Sequence, residues 1–267
     1  MKPVVSSHSI QCTTAGVVDA HICEPGEGDG DGGSSRVRGT IVTVHPWSAL
    51  GGGEHNTIGL ARNIINHNIN KSEVRRKEIV CGDTTCSWRW RVVTSTLKSH
   101  SFGGSIWGIF SNHTYEVQQI VDVVHWIRQK YGVEESIVLL GSSAGSPMAG
   151  TAVALLADQR NFAVSAYIAV GYTFGNLAAL GFGRHFSSVL SSSVMSIPKL
   201  FIMGERDEFT SVAQLEEMTH KMRAQNSEDN GIVDIEIVPS VGHFELESPR
   251  YDSLVSKLVL DWLDKCL

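Results

Sequence analysis

Residues 141–145 read Gly-Ser-Ser-Ala-Gly, directly after the apolar run Ser136–Leu140 (SIVLL) and at the start of the small, apolar stretch Ala144–Ala157. The pattern G-x-S-x-G between a strand and a helix holds its central residue in a sharp, strained turn, commonly with positive φ. The flanking Gly141 and Gly145 give the clearance such a turn needs. Ser143 is therefore the candidate nucleophile, lifted over the carboxyl ends of the strands. The following helix turns its partly positive N-terminus toward any negative charge that develops there. A serine hydroxyl attacks a carbonyl only when a base takes its proton, and that base must be held by a third group. His243 follows the run IEIVPS and is the candidate base. Asp207 follows KLFIM and Gly204 and is the candidate acid, because G-x-x-D after a strand suits the turn. Glu205 and Glu208 compete with it.

The tetrahedral oxyanion of such chemistry needs two backbone N–H donors. Ala144, next after the serine, is one candidate. The other belongs after the β-branched run Thr40–Val44 (TIVTV), where the chain continues HPWSALGGGEHN over residues 45–56. Pro46 has no N–H, so Trp47 is the candidate second donor. Gly51–Gly53 would let this loop approach closely, and His45 would orient it. Substrate-facing candidates are Phe102, Tyr172, Phe174 and Phe244. Trp47, Trp107, Leu177, Leu180, Phe182 and Phe209 are possible further walls, although most aromatic residues belong in a core. Arg184 suits a carboxylate or phosphate ligand or a surface ion pair.

These residues require elements that place them. Thr40–Val44, Trp88–Thr96, Ser136–Leu140, Phe162–Val170, Lys199–Met203 and Val233–Val238 read as strands, the last as an edge strand because it alternates. Ile58–Ile65, Val117–Ile127, Ala144–Ala157, Val212–Met222 and Leu254–Leu263 have helical spacing. Strands alternating with helices predict an α/β domain: a mostly parallel central sheet with helices on both faces. Ser9–Glu24 suits a β-hairpin, 25–36 a solvated hairpin loop, and 66–87 an insertion or long loop. Residues 1–267 read as one domain, with the core from 37 and N-terminal strands plus a Gly/Asp-rich loop over 1–36. No large insertion separates Ser143 from Asp207, so no large lid domain is expected.

Composition narrows the function. A chain of 267 residues with 42% apolar residues can bury a sizeable core, and a formal net charge of −6 argues against nucleic acid as a partner. The basic run Lys71–Lys77 also carries Glu73 and suits a solvated face. Five cysteines without a CxxC pair predict neither a disulfide framework nor a zinc site, and fit a reducing compartment. In the Gly/Asp-rich loop, Glu27, Asp29 and Asp31 would repel phosphate, and Gly33 and Ser34 break a calcium-loop pattern. The start MKPVVSSHSIQC lacks a continuous apolar stretch, so no signal peptide is expected and the location is expected to be cytoplasmic. No run is long and apolar enough to suggest a membrane span. No cofactor or metal is expected, and the sequence does not give an oligomeric state.

Together, the Ser143 elbow, Asp207, His243 and the loop after TIVTV resemble the α/β-hydrolase superfamily. His45, Pro46, Gly51, Gly52 and Asn56 resemble the oxyanion loop of small dienelactone-hydrolase-like serine hydrolases. The resemblance covers roughly residues 38 to 265. It implies the α/β-hydrolase fold, the chain order nucleophile–acid–histidine seen here, and hydrolysis of a small carboxylic ester or thioester. The sequence departs from relatives in three places. Trp47-Ser48 replaces a second His-Pro, GSSAG lacks a bulky aromatic near the serine, and Ser99–Gly108 replaces an arginine-containing loop. A non-catalytic binding or scaffold protein on the same fold is the alternative.

Overall fold

In a computed structural model of the chain, the described residues are 4–13, 16–24, 37–46, 53–78, 89–98, 114–159, 164–175, 182–224 and 231–267, without the side chains of 68–78, 114 and 192. Their strands are β1 (Val4–Cys12), β2 (Gly16–Glu24), β3 (Val37–Val44), β4 (Arg89–Thr96), β5 (Ser136–Ser142), β6 (Ala166–Val170), β7 (Lys199–Gly204) and β8 (Val233–Val238). They form one sheet in the order β1-β2-β4-β3-β5-β6-β7-β8. β1 and β2 are an antiparallel hairpin with Cys12 opposite Gly16, and β2 joins β4 antiparallel. The pairs from β4 through β3 to β8 are all parallel.

Side chains alternate across the sheet, so each central strand feeds two cores. Ile137 and Leu139 of β5 join the cluster with α2 (Thr114–Tyr131), α3 (Gly145–Ala157) and α4 (Val212–Ala224). Val138 and Leu140 join the opposite cluster, with α1 (Glu54–Glu78) and α6 (Asp252–Cys266). Burial on both faces is why β5 reads as an unbroken apolar run. β8 lies at the sheet edge, as its alternation predicts, and packs only part of its length into the cores.

Two local expectations change. The expected loop over 66–87 is helical as far as Glu78, with 79–88 outside the described residues. Lys, Arg and Glu are good helix formers, but a segment with no apolar stripe gives no periodic signal. The basic run Lys71–Lys77 lies in this helix. The expected hairpin connection at 25–36 is a crossover, because β4 separates β2 from β3 in the sheet. The connecting segment itself lies outside the described residues, as do Cys81 and Cys86.

Candidate active site

β5 ends at Ser142, and the chain turns at Ser143 with φ 50°, a left-handed conformation that serine rarely adopts. The turn is held from below. The Ser143 amide donates to the Val170 carbonyl at the end of β6 at 2.8 Å, and the Ser146 hydroxyl reaches the same oxygen at 3.2 Å. The Tyr167 hydroxyl donates to the Ser146 carbonyl at 2.7 Å. A Cβ at Gly141 would collide with the backbone of Ser146, and one at Gly145 with the Val44 carbonyl. Both glycines are therefore required by close backbone approach.

The Ser143 hydroxyl lies 2.8 Å from Nε2 of His243, whose Nδ1 lies 2.6 Å from Oδ2 of Asp207. The His243 side chain is fully buried. The other Asp207 oxygen accepts from the amides of Phe209 and Thr210, each at 2.9 Å. With Asp207 accepting from Nδ1–H, Nε2 is left as an acceptor for the Ser143 hydroxyl proton. Burial is the largest single influence on His243 and lowers its pKa. The Asp207 hydrogen bond, with the charges of Asp207, Glu247 and Glu208, outweighs it, so the net direction is upward.

The two competing acids lie elsewhere. Glu208 accepts from the His243 amide at 2.9 Å, and Glu205 accepts from the Ser240 amide at 2.7 Å. Asp207 meets the ring, while its neighbours tie down the backbone of the loop that carries it. His243 begins a short helix, α5 (His243–Leu246).

Ala144 begins the approach to α3 and is buried beside Ser143; its amide makes no hydrogen bond among the described residues. Trp47 lies outside the described residues. His45 lies at the start of that loop. Its Nδ1 donates to the Pro46 carbonyl at 2.7 Å and its Nε2 accepts from the Leu97 amide at 3.1 Å, which is the neutral tautomer. Burial lowers its pKa, and the ring joins the segment after β3 to the segment after β4.

Several solved structures resemble this chain over nearly its whole length. A dienelactone hydrolase from Anabaena variabilis superposes with TM-score 0.63 at 15% identity, over 100% of both chains. A lidless α/β serine hydrolase from Xanthomonas campestris gives 0.61 at 17%, over 98% of this chain and 96% of that one. The chain has the α/β-hydrolase fold. An esterase from the archaeon Pyrobaculum calidifontis gives 0.66 at 14% identity, over 97% of this chain and 84% of its own. No protein-family model and no curated protein sequence matches. The neighbours thus include serine hydrolases and esterases, and coverage of nearly the whole chain indicates no large extra domain.

In this α/β-hydrolase fold the four substrate-facing candidates are placed differently from one another. Phe244 is 56% exposed beside His243, with ring centroids 5.4 Å apart. Phe209 packs edge-on against His243 at 4.6 Å and against Phe244 at 5.6 Å. Tyr172 and Phe174 are buried and stacked on each other at 3.9 Å in the core around Phe201 and Phe186. The structure therefore gives these two rings a packing place: Thr210 donates to the Tyr172 carbonyl at 2.6 Å and accepts from the Phe174 amide at 2.7 Å. Phe182 is buried against Ala144, and Arg184 is exposed. Phe102, Trp107, Leu177 and Leu180 lie outside the described residues. Glu247, which hydrogen-bonds Ser142, escapes a reading by sequence, where its only trace is its place one helical turn after His243. Among the described residues no group of three His, Cys, Asp or Glu side chains could hold a metal ion, and no helix is long and apolar enough to cross a membrane.

Proposed function

We propose that the protein is a serine hydrolase that cleaves a small carboxylic ester or thioester through an acyl-enzyme. The observation that carries this reading is the unbroken hydrogen-bond chain Ser143–His243–Asp207 at 2.8 and 2.6 Å, with the serine in a strained turn at the carboxyl end of β5. A strained residue costs about 1–3 kcal/mol and persists where the surroundings enforce it.

In the first step His243 Nε2 takes the Ser143 proton as Oγ bonds to the substrate carbonyl carbon. The carbonyl π pair becomes an oxyanion, held by the amides of Ala144 and Trp47. Asp207 keeps the proton on Nδ1 and stabilises the imidazolium. The oxyanion collapses, the bond to the leaving oxygen or sulfur breaks, and Nε2 returns its proton to that atom. Water then attacks the acyl-enzyme with His243 as base, releasing the acid and restoring the Ser143 hydroxyl. Each oxyanion donor is worth about 10²–10³ in kcat.

Because His243 protonates the leaving group, residues beside its Nε2 face that group. Phe209 and Phe244, which pack edge-on against the His243 ring, supply an apolar edge to the site, which favours an alkyl or aryl alcohol or thiol over a charged one. An exposed aromatic beside a reactive centre fits substrate contact better than core packing. The test is turnover of short-chain aryl esters and thioesters by wild type and Ser143→Ala. The expected result is turnover by wild type and a loss of about 10⁴-fold or more in the folded variant. Equal activity of the two proteins would defeat the reading, and no turnover by either would favour a binding or scaffold protein.

A further inference from the structure

Glu247 follows His243 by four residues and caps the end of α5. Its carboxylate is half-buried and accepts a hydrogen bond from the Ser142 hydroxyl at 2.8 Å. Ser142 is buried, ends β5, and immediately precedes Ser143. No lysine or arginine pairs with Glu247 among the described residues. Its carboxylate meets Ser142 from β5, and the charges of His243 on α5 and Asp207 in the turn after β7 act on it. A carboxylate placed in this way is expensive to keep unless a positive charge forms nearby.

We propose that Glu247 is a positioning residue of the acyl-transfer site, tying the serine-bearing turn to the histidine-bearing helix through Ser142 and supplying a second negative charge to the imidazolium of His243. The inference rests on the serine-hydrolase reading. The two carboxylates divide the work. Asp207 fixes the ring by a direct bond to Nδ1, whereas Glu247, which has no hydrogen bond to the ring among the described residues, acts on it through charge. Glu208 adds to the same field, but it is exposed and its charge is screened by water. Burial raises the pKa of Glu247, against the pull of His243 and the Ser142 hydroxyl, so the residue gains most when His243 is charged. That moment is the tetrahedral intermediate, when the Ser143 proton resides on Nε2.

The experiment is the rate of fluorophosphonate labelling at Ser143 against pH, for wild type, Glu247→Gln and Ser142→Ala, with folding checked by thermal unfolding. Labelling needs the neutral His243 ring, so its acid limb reports the His243 pKa. Glu247→Gln keeps the acceptor for Ser142 and removes the charge, so its acid limb should move to lower pH. Ser142→Ala keeps the charge and removes the tie, so its plateau rate should fall by about tenfold as the serine loses alignment. An unmoved acid limb in folded Glu247→Gln, or an unchanged plateau in Ser142→Ala, would overturn the assignment. Wild type that takes no label would defeat the serine-hydrolase reading itself, a distinct outcome.

Discussion

The α-carbon of Gly145 lies so close to the end of β3 that a Cβ there would overlap the carbonyl oxygen of Val44 and stand 2.6 Å from that of His45. The helix behind Ser143 and the strand that leads to the candidate oxyanion loop therefore meet backbone to backbone. This contact sets the distance between the Ala144 amide and the segment that begins at His45. Neither backbone is free to yield, since Val44 is bonded in the sheet and Ser143 is bonded to Val170. Gly145→Ala should destabilise the fold by about 1–3 kcal/mol, as overpacking does, and should lower kcat more than it raises KM. Thermal unfolding and steady-state kinetics on an aryl ester would check both.

The role of Asp207 is separable from its role in folding. Its Oδ1 accepts two amides while its Oδ2 takes the His243 ring. Asp207→Asn can keep an oxygen toward Phe209 and Thr210, but then presents N–H to Nδ1 and forces the other tautomer. The expected outcome is a loss of about 10³–10⁴-fold in kcat with a modest change in unfolding temperature. Asp207→Ala should add a stability loss of about 1–3 kcal/mol, because buried donors lose their acceptor.

The pH dependence follows from the His243 ring. Only the neutral ring can accept the Ser143 proton, and the net pull of Asp207, Glu247 and Glu208 raises its pKa above the ordinary 6.5. Activity should therefore rise with pH along an acid limb whose midpoint in kcat/KM lies above that value. A midpoint below 6.5 would contradict the geometry around Nδ1.

Asp252 offers a test of stability away from the site. Burial near Gly59 pushes its pKa up from 3.8 to about 6, and no hydrogen bond to its carboxylate exists among the described residues. Between those values the folded chain holds a proton that the unfolded chain releases. Stability thus falls as pH rises through that window and stays lower above it. Asp252→Asn should raise the unfolding temperature at pH 8 and leave it nearly unchanged at pH 3, as measured by calorimetry.

Phe244 is exposed, so its loss should leave the fold intact. Phe244→Ala should reduce kcat/KM for aryl esters by roughly 2- to 10-fold, the worth of an aromatic contact of about 0.5–1.5 kcal/mol. Esters with small alkyl leaving groups should suffer less, and a comparison of the two series would show it.

Much of this arrangement is legible in the sequence because strong local rules govern it. G-x-S-x-G after SIVLL is a steric demand, and buried parallel strands read as apolar runs wherever both faces are covered. The sequence places Asp207 and His243 beyond strand ends, and only the turn pattern G-x-x-D favours Asp207 over Glu205 and Glu208. That choice depends on where each carboxylate points once the turn is made. Tyr172 and Phe174 read as pocket walls in sequence, yet they stack on each other and pack against Phe201 within the core. The polar half of α1 is hidden because it has no apolar stripe. The Ser142–Glu247 bond joins residues 105 apart in the chain, beyond any local pattern.

The central claim is that Ser143 is an activated nucleophile. Treating the folded protein with a fluorophosphonate and mapping the adduct by peptide mass spectrometry tests it most directly. The prediction is one stoichiometric adduct on Ser143, abolished in His243→Ala. Well-folded wild type without an adduct, or equal labelling of His243→Ala, would contradict it.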